Sequence, residues 1–352
     1  MLYFNTEAIN KLGEYIDHCK AMHKSIVVLC DNHTLNDCLP VLEKYIPFLF
    51  IDKMLSIPFG EEHKTLDTIA NLWEQLLVGN IHRNAVLISL GGGVVCDLGG
   101  FVSATFKRGI DSVLIPTSLM AQVDAAIGGK TGFNFRQAKN QIGLFSYPDN
   151  IFIIPEFLKT LPEREILSGF AEMLKHGLIA DASYWNELIE INSSLQMIQS
   201  QRIKRSVEIK TNICNIDYYE QVERKKLNFG HTIGHALESY FMTETNPLSH
   251  GEAVAFGMIA ETYISFLKGL ISENELTIIV NALQHFFSIP TMNKINFLSL
   301  SYYLQKDKKK TNDSMNFTLL RSIGNALINQ SVTEQEIMLS LDYLNKIFLN
   351  RQ

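Results

Sequence analysis

Residues 84–90, Asn-Ala-Val-Leu-Ile-Ser-Leu, run without interruption into Gly91-Gly92-Gly93 and on into Val94-Val95-Cys96-Asp97-Leu98-Gly99-Gly100. An unbroken apolar run of this length reads as a strand buried on both faces, a situation found in parallel sheets covered by helices on either side. Three glycines let the backbone approach a pyrophosphate, whose charge would face the free N–H groups of the helix that follows. The spelling is not G-x-G-x-x-G, because Cys96 stands where the third glycine would fall. A tight turn requiring positive φ explains the glycines equally well without any ligand.

The surroundings extend the α/β reading. Strands are expected at 25–30, 47–51, 84–90, 112–116 and 150–154, with helices at 6–22, 35–44, 65–78 and 94–105, where apolar residues recur every three and four positions. This predicts a Rossmann-like parallel-sheet α/β domain over residues 1–155. After Pro155 the pattern turns helical, at 163–180, 182–191, 199–214, 227–241, 250–267 and 273–286. Only 315–323 looks strand-like there, and a last helix at 333–348 opens with a possible capping box, Thr333 and Glu336. The expectation is an all-α C-terminal domain over 156–352, with the active site in the cleft between the two. At 352 residues and 46% hydrophobic, the chain can fill two cores of ordinary size.

A formal charge of −6 excludes a whole-molecule role in binding nucleic acid or an anionic membrane. The start, Met1-Leu2-Tyr3-Phe4-Asn5, has no basic stretch leading into an apolar one, and no apolar run approaches the ~20 residues of a bilayer span. A cytoplasmic protein is expected. Cys19, Cys30, Cys38, Cys96 and Cys214 are scattered and odd in number, which predicts reduced, buried thiols.

Several residues carry possible chemistry. His231 and His235 are four apart and share a helix face, His250 opens the next helix, and Glu172 lies in Gly169-Phe170-Ala171-Glu172-Met173-Leu174-Lys175. Two histidines and a carboxylate with one open position form the ligand set of a catalytic zinc site; by spacing alone, His231 pairs with His235. Lys130 between glycines and Lys139-Asn140 suggest a loop bringing charge against an anion. Lys175 is one turn from Glu172, and Arg108, Lys210, Arg224, Lys308 and Lys309 are further cations. Asp31, Glu61 and Lys64 can hold ribose hydroxyls, and Thr117-Ser118 follows a strand end. Taken singly, a histidine on an apolar helix is more often a satisfied core residue, each cation is better explained as a solvated surface charge, and Asp31, Glu61 and Lys64 are equally well explained as solvated loops.

Together the motifs resemble the 3-dehydroquinate synthases, members of the sugar phosphate cyclases. The resemblance covers residues 31–324 and is most specific at 91–109, 116–134, 139–145, 161–177, 228–238 and 250–258. It implies a metal, zinc or alternatively cobalt, on Glu172, His231 and His250, with His235 on the substrate side. It implies NAD against Asp31, Glu61, Lys64, Gly93, Val94, Val95, Cys96, Asp97, Thr117, Ser118, Asp124, Lys130, Lys139, Phe157, Leu158, Lys159 and Thr160. The substrate, a small anionic sugar phosphate, would be held by Lys130, Asn140, Lys175, Lys210, Arg224, Asn228, His235, Lys308 and Lys309, with Arg108 reaching across a homodimer. The implied reaction converts 3-deoxy-D-arabino-heptulosonate 7-phosphate to 3-dehydroquinate and phosphate in the shikimate route to aromatic amino acids. Cys96, Ala125-Ala126-Ile127 and Phe133 depart from the family's usual spelling near the cofactor. Alternatives are another sugar phosphate cyclase, a metal-dependent polyol dehydrogenase, or a nucleotide-binding regulator that has lost the chemistry.

Overall fold

The computed structural model describes residues 1–136, 138–242, 247–287, 295, 297–307 and 314–349. They form two compact units, Met1–Ile166 with Ile198–Val207, and Leu167–Met197 with Glu208–Gln352.

The first unit contains β1 (Leu2–Phe4), α1 (Asn5–Ala21), β2 (Ser25–Asp31), α2 (Asn32–Asp37), α3 (Leu39–Tyr45), β3 (Lys53–Ile57), α4 (Leu66–Val78), β4 (Ala85–Gly91), α5 (Gly93–Thr105), β5 (Asp111–Pro116), β6 (Lys130–Phe135), β7 (Ala138–Phe145) and β8 (Asn150–Ile153). Six strands form one sheet in the order β1-β8-β5-β4-β2-β3, and every pairing is parallel. Alternation along β2 supplies both faces: Ile26, Val28 and Cys30 join the apolar cluster containing Leu12 and Ile16 of α1, while Val27 and Leu29 join Leu72 of α4 and Leu98 of α5. The chain passes from β2 outward to β3, then crosses back to β4 on the other side of β2. A strand-order reversal of this kind opens a crevice at the carboxyl ends of the two strands, here Asp31 and Gly91.

Some expectations shift. The strand expected at 47–51 lies at β3, because Pro47 opens a turn and Phe48 and Phe50 face solvent, whereas Leu55 and Ile57 alternate into the core. The helix expected at 35–44 is two helices, with Pro40 in the first turn of the second. The glycine-flanked lysine segment is not a loop but the antiparallel hairpin β6–β7. The short edge strand β1 was not expected.

The second unit holds most of α6 (Glu163–Ala180), then α7 (Ala182–Ile189), α8 (Ser194–Met197), the later part of α9 (Ser200–Ile216), α10 (His231–Phe241), α11 (His250–Leu267), α12 (Glu273–Phe286), α13 (Phe297–Asp307), the antiparallel pair β9 (Ser314–Ser322) and β10 (Asn325–Thr333), and α14 (Glu334–Leu349). It is helical apart from this hairpin, whose second strand the sequence reading missed. Helix α10 starts at His231 rather than 227, because residues 223–228 form a 3-10 turn and Gly230 stands at φ 78°. The Thr333–Glu336 capping box is present, with the Glu336 carboxylate accepting from Thr333 N–H and the Thr333 hydroxyl accepting from Glu336 N–H. Among the described residues, no helix is long and apolar enough to cross a membrane.

Candidate active site

In the first unit the glycine turn joins β4 to α5, and none of its three glycines has positive φ. Positive backbone angle is therefore not what requires them. A Cβ at Gly91 would lie 2.5 Å from Cβ of Val95, so packing demands glycine there. At Gly92 and Gly93 the nearest side-chain atoms, Ser118 Oγ and Ala125 Cβ, would be 3.4 and 3.5 Å away, an ordinary contact. Neither packing nor φ explains these two glycines. Gly92 caps α5 without any side-chain hydrogen bond, so no capping side chain competes for the N–H groups of the first turn.

Around this turn the polar residues are already ordered. Lys64, only 4% exposed, donates to the Asp97 carboxylate and, at 2.6 Å, to Asn140 Oδ1. Burial raises the Asp97 pKa above its ordinary value, more than the facing Lys64 ammonium lowers it. Asn140, at φ 53°, donates its N–H to Asn134 Oδ1, and Asn134 in turn donates to Glu61 at 2.8 Å. One network thus ties together Glu61, Lys64, Asp97 and Asn140, four of the residues singled out in the sequence, through Asn134, which was not.

Asp31 accepts from the N–H groups of His33 and Thr34 and so caps α2. Thr117 N–H bonds Gly91 C=O at 3.0 Å, and Ser118 Oγ accepts from Ala121 N–H. In 155–160, Phe157 belongs to the sheet's core and Leu158 is fully buried, while Lys159 pairs with Glu156 on the surface and Thr160 is exposed. Val95 and Cys96 are buried, Val94 is partly so, and the Cys96 thiol reaches Gly91 C=O at 3.6 Å. All five cysteines are free and buried. Lys130 is exposed at the start of β6, and Lys139 lies on β7. Asp124 lies in the turn of π-helix at Ala121–Ala125.

In the second unit Glu172 is fully buried on α6, and its two oxygens have different neighbours. Oε2 forms an ion pair with Lys175, itself 1% exposed and one turn along. Oε1 lies 3.5 Å from His231 Nε2 and 3.6 Å from His250 Nε2. Those separations exceed a good hydrogen bond. They match the edge of a tetrahedron of donors at zinc-ligand distances, about 3.4 Å. The other ring nitrogens are also engaged: His231 Nδ1 lies 3.2 Å from Phe229 C=O, and His250 Nδ1 lies 3.5 Å from Glu238 Oε2. The donor set therefore fits a divalent cation, including the outer partners that orient metal-bound imidazoles.

Without an ion, the charges interact strongly. Burial alone would raise the Glu172 pKa, yet Lys175 and the two histidines hold it well below the carboxylate range. Burial and the nearby Lys175 push His231 well down. Burial would lower His250 too, but the Glu172 and Glu238 carboxylates beside its two ring nitrogens raise it to about 10.

The structure brings His235 to the same place, its imidazole 5.1 Å from that of His231 and 5.8 Å from that of His250. Donor atoms of the three histidines lie within 4.8 Å of one another, so both groupings raised by the sequence survive in the geometry. Arg224 is buried and donates to Tyr218 C=O at 2.7 Å, in a loop folded over Asp217, whose carboxylate accepts from the N–H groups of Gln221, Val222 and Arg224. Asn228 donates to Glu220 Oε1 at 2.9 Å, and Lys210 is buried on α9. Lys308 and Lys309 lie outside the described residues. Sequence reasoning missed Glu220, Glu238 and Glu261; only Glu238, one turn beyond His235, carried a spacing signal.

Known proteins resemble the chain over most of its length. Residues 54–168 match the family described as 3-dehydroquinate synthase N-terminal, and 169–310 match 3-dehydroquinate synthase C-terminal. A 3-dehydroquinate synthase of Parabacteroides distasonis is 38% identical over 341 residues, covering 96% of each chain. Among solved structures, 2-deoxy-scyllo-inosose synthase complexed with carbaglucose-6-phosphate, NAD+ and Co2+ superposes with a TM-score of 0.83 at 24% identity, over 98% of this chain and 96% of that one. The 2-epi-5-epi-valiolone synthase of Streptomyces hygroscopicus subsp. jinggangensis, with NAD+ and Zn2+ bound, gives 0.82 at 24% identity, over 99% and 97%.

Proposed function

The chain belongs to the 3-dehydroquinate synthase family, and from that premise we propose how its residues divide the conversion of 3-deoxy-D-arabino-heptulosonate 7-phosphate to 3-dehydroquinate and phosphate. The enzyme is a carbon–oxygen lyase of aromatic amino-acid biosynthesis. When bound, NAD would supply a hydride acceptor that is regenerated within the same turnover, and a divalent metal would supply Lewis acidity at the hydroxyls involved. Phosphate leaves in the oxidised interval, and ring opening and aldol closure follow.

Glu172, His231 and His250 hold the metal. The observation that carries this is the single carboxylate oxygen, Oε1, that faces both Nε2 atoms at 3.5 and 3.6 Å. Lys175 keeps Glu172 ionised by occupying its other oxygen. The uncapped first turn of α5, at Gly93, Val94, Val95, Cys96 and Asp97, receives the NAD pyrophosphate. Asp31, Glu61, Lys64, Thr117, Ser118, Asp124, Lys130, Lys139 and residues 157–160 complete the dinucleotide site. Lys130, Asn140, Lys175, Lys210, Arg224, Asn228, His235, Lys308 and Lys309 orient the substrate's phosphate and carboxylate, so that charge is met without reorganisation. The two solved synthases, one with Co2+ and one with Zn2+, support a divalent metal, for which we take zinc with cobalt as the alternative.

We divide the chain into an NAD-binding domain, 1–155, and a metal- and substrate-binding domain, 156–352. We further place the enzyme in the cytoplasm as a homodimer in which Arg108 serves the site of the second copy. Arg108 is exposed at φ 66°, between Lys107 at 48° and Gly109 at 112°. Left-handed backbone at two consecutive non-glycine residues costs roughly 1–3 kcal/mol each, a strain typical of functional turns.

The test is metal removal. Chelation abolishes phosphate release and added zinc or cobalt restores it while NAD remains bound; release indifferent to chelator contradicts the assignment.

A further inference from the structure

Helices α10 and α11 each begin with a proposed metal ligand, His231 and His250. They run antiparallel in close contact, with Gly230 beside Met258 and Gly234 beside Val254. A Cβ on Gly257 would stand 2.0 Å from Gly230 C=O, so the crossing is set by backbone against backbone. Each helix also sends one carboxylate to the other's ligand. Glu238 of α10 meets His250 Nδ1 directly at 3.5 Å. Glu261 of α11 is fully buried and holds the backbone ahead of His231 and within its first turn. Its Oε2 accepts from Gly230 N–H at 2.6 Å and its Oε1 from Ile233 N–H at 3.0 Å.

Gly230 N–H and Phe229 C=O belong to one peptide group, and Phe229 C=O is the atom that faces His231 Nδ1 at 3.2 Å. With Nε2 turned to Glu172 Oε1 and the metal, Nδ1 must carry the ring proton and donate it. The chain therefore runs from the Glu261 carboxylate through the 229–230 peptide to the His231 ring. A peptide that donates to a carboxylate becomes a better acceptor at its carbonyl, because successive hydrogen bonds polarise one another.

We propose that Glu261 is a positioning residue for the metal, acting on His231 through the 229–230 peptide as Glu238 acts directly on His250. Both histidines are then backed by a carboxylate, one in contact and one at a peptide's remove. The Gly230 φ of 78° is what presents that peptide to Glu261. The inference rests on the reading that Glu172, His231 and His250 hold a metal.

Cobalt titration of the full chain, followed by its visible absorption, tests it with a readout independent of turnover. Glu261→Gln keeps the shape, removes the charge and can accept from only one of the Gly230 and Ile233 N–H groups. The expected result is a 10- to 100-fold weaker cobalt affinity and shifted cobalt bands, with Glu238→Gln changing in the same direction. A Glu261→Gln protein that binds cobalt with the wild-type affinity and spectrum overturns the relay, including when its metal-free form unfolds at lower temperature, since Glu261 would then be only a helix cap. A wild-type protein that binds no cobalt takes the relay down together with the metal site. The wild type also supplies a test that needs no variant to fold. Zinc loading must move the Gly230 amide proton and the His231 Nδ1 proton together in the NMR spectrum, and an unmoved Gly230 amide rejects the coupling.

Discussion

Lys175 and Glu172, one turn apart on α6 and both sealed from solvent, form an ion pair through Glu172 Oε2 that leaves Oε1 to the histidines. Removing the ammonium breaks a buried ion pair and leaves Glu172 only the histidines for compensation, at a cost of about 3–5 kcal/mol. Lys175→Met should therefore destabilise the metal-free protein by that order in denaturant unfolding. Zinc should recover part of the loss, since a cation on Oε1 replaces some of the missing charge. Equal destabilisation with and without zinc would show that Lys175 and the metal do not share Glu172.

His231 and His235 are separated by function rather than by position. His231→Ala should abolish zinc retention after dialysis. His235→Ala should retain about one zinc per chain and lose turnover, because its imidazole is assigned to the substrate. Metal analysis of the two variants decides this, and loss of zinc from His235→Ala would return the site to the grouping of three histidines.

The glycine turn makes two different demands. Gly91→Ala drives a methyl group into Val95 and should cost about 1–3 kcal/mol of stability. Gly92→Ala meets only ordinary contacts, and Gly92 has φ −71°. That variant should unfold like the wild type yet bind NAD at least tenfold more weakly by fluorescence titration. Undiminished NAD binding would remove the pyrophosphate from this turn.

His250 lies between Glu172 and Glu238, whose carboxylates raise its pKa to about 10 from the usual 6.5. In the metal-free protein it is protonated at neutral pH. Its folded value is raised, so its contribution to metal-free stability is full below pH 6.5 and is lost as pH rises through about 10. Zinc must displace that proton. Apparent affinity should climb about tenfold per pH unit from 7 toward 10, with one proton released per ion, measured by calorimetry in buffers of differing ionisation enthalpy. A pH-independent affinity would mean that His250 is not a ligand.

Much of this was legible in the chain before any coordinates. The apolar strand ahead of Gly91 announced a parallel sheet, because burial on both faces suppresses alternation. Helices α6, α11 and α12 begin and end where periodicity places them, α11 and α12 behind serine caps. Spacing failed where the chain folds against its local pattern. Phe48 and Phe50 imitate a strand but lie exposed beyond Pro47, and the hairpin β6–β7 hides among glycines that read as loop. At the site, Glu172, His231 and His250 come from three helices, so no spacing could join them without the family resemblance. Glu261 was invisible for another reason: it acts through backbone N–H groups, which leave no trace in the identities of Gly230 and Ile233.

In one turnover the enzyme performs an oxidation and undoes it. Purified protein with NAD and zinc is given 3-deoxy-D-arabino-heptulosonate 7-phosphate, and released phosphate and the absorbance of reduced NAD are followed in one cuvette. Stoichiometric phosphate release with no accumulation of reduced NAD is the predicted result. No phosphate release, or reduced NAD building up in step with substrate consumed, would contradict it.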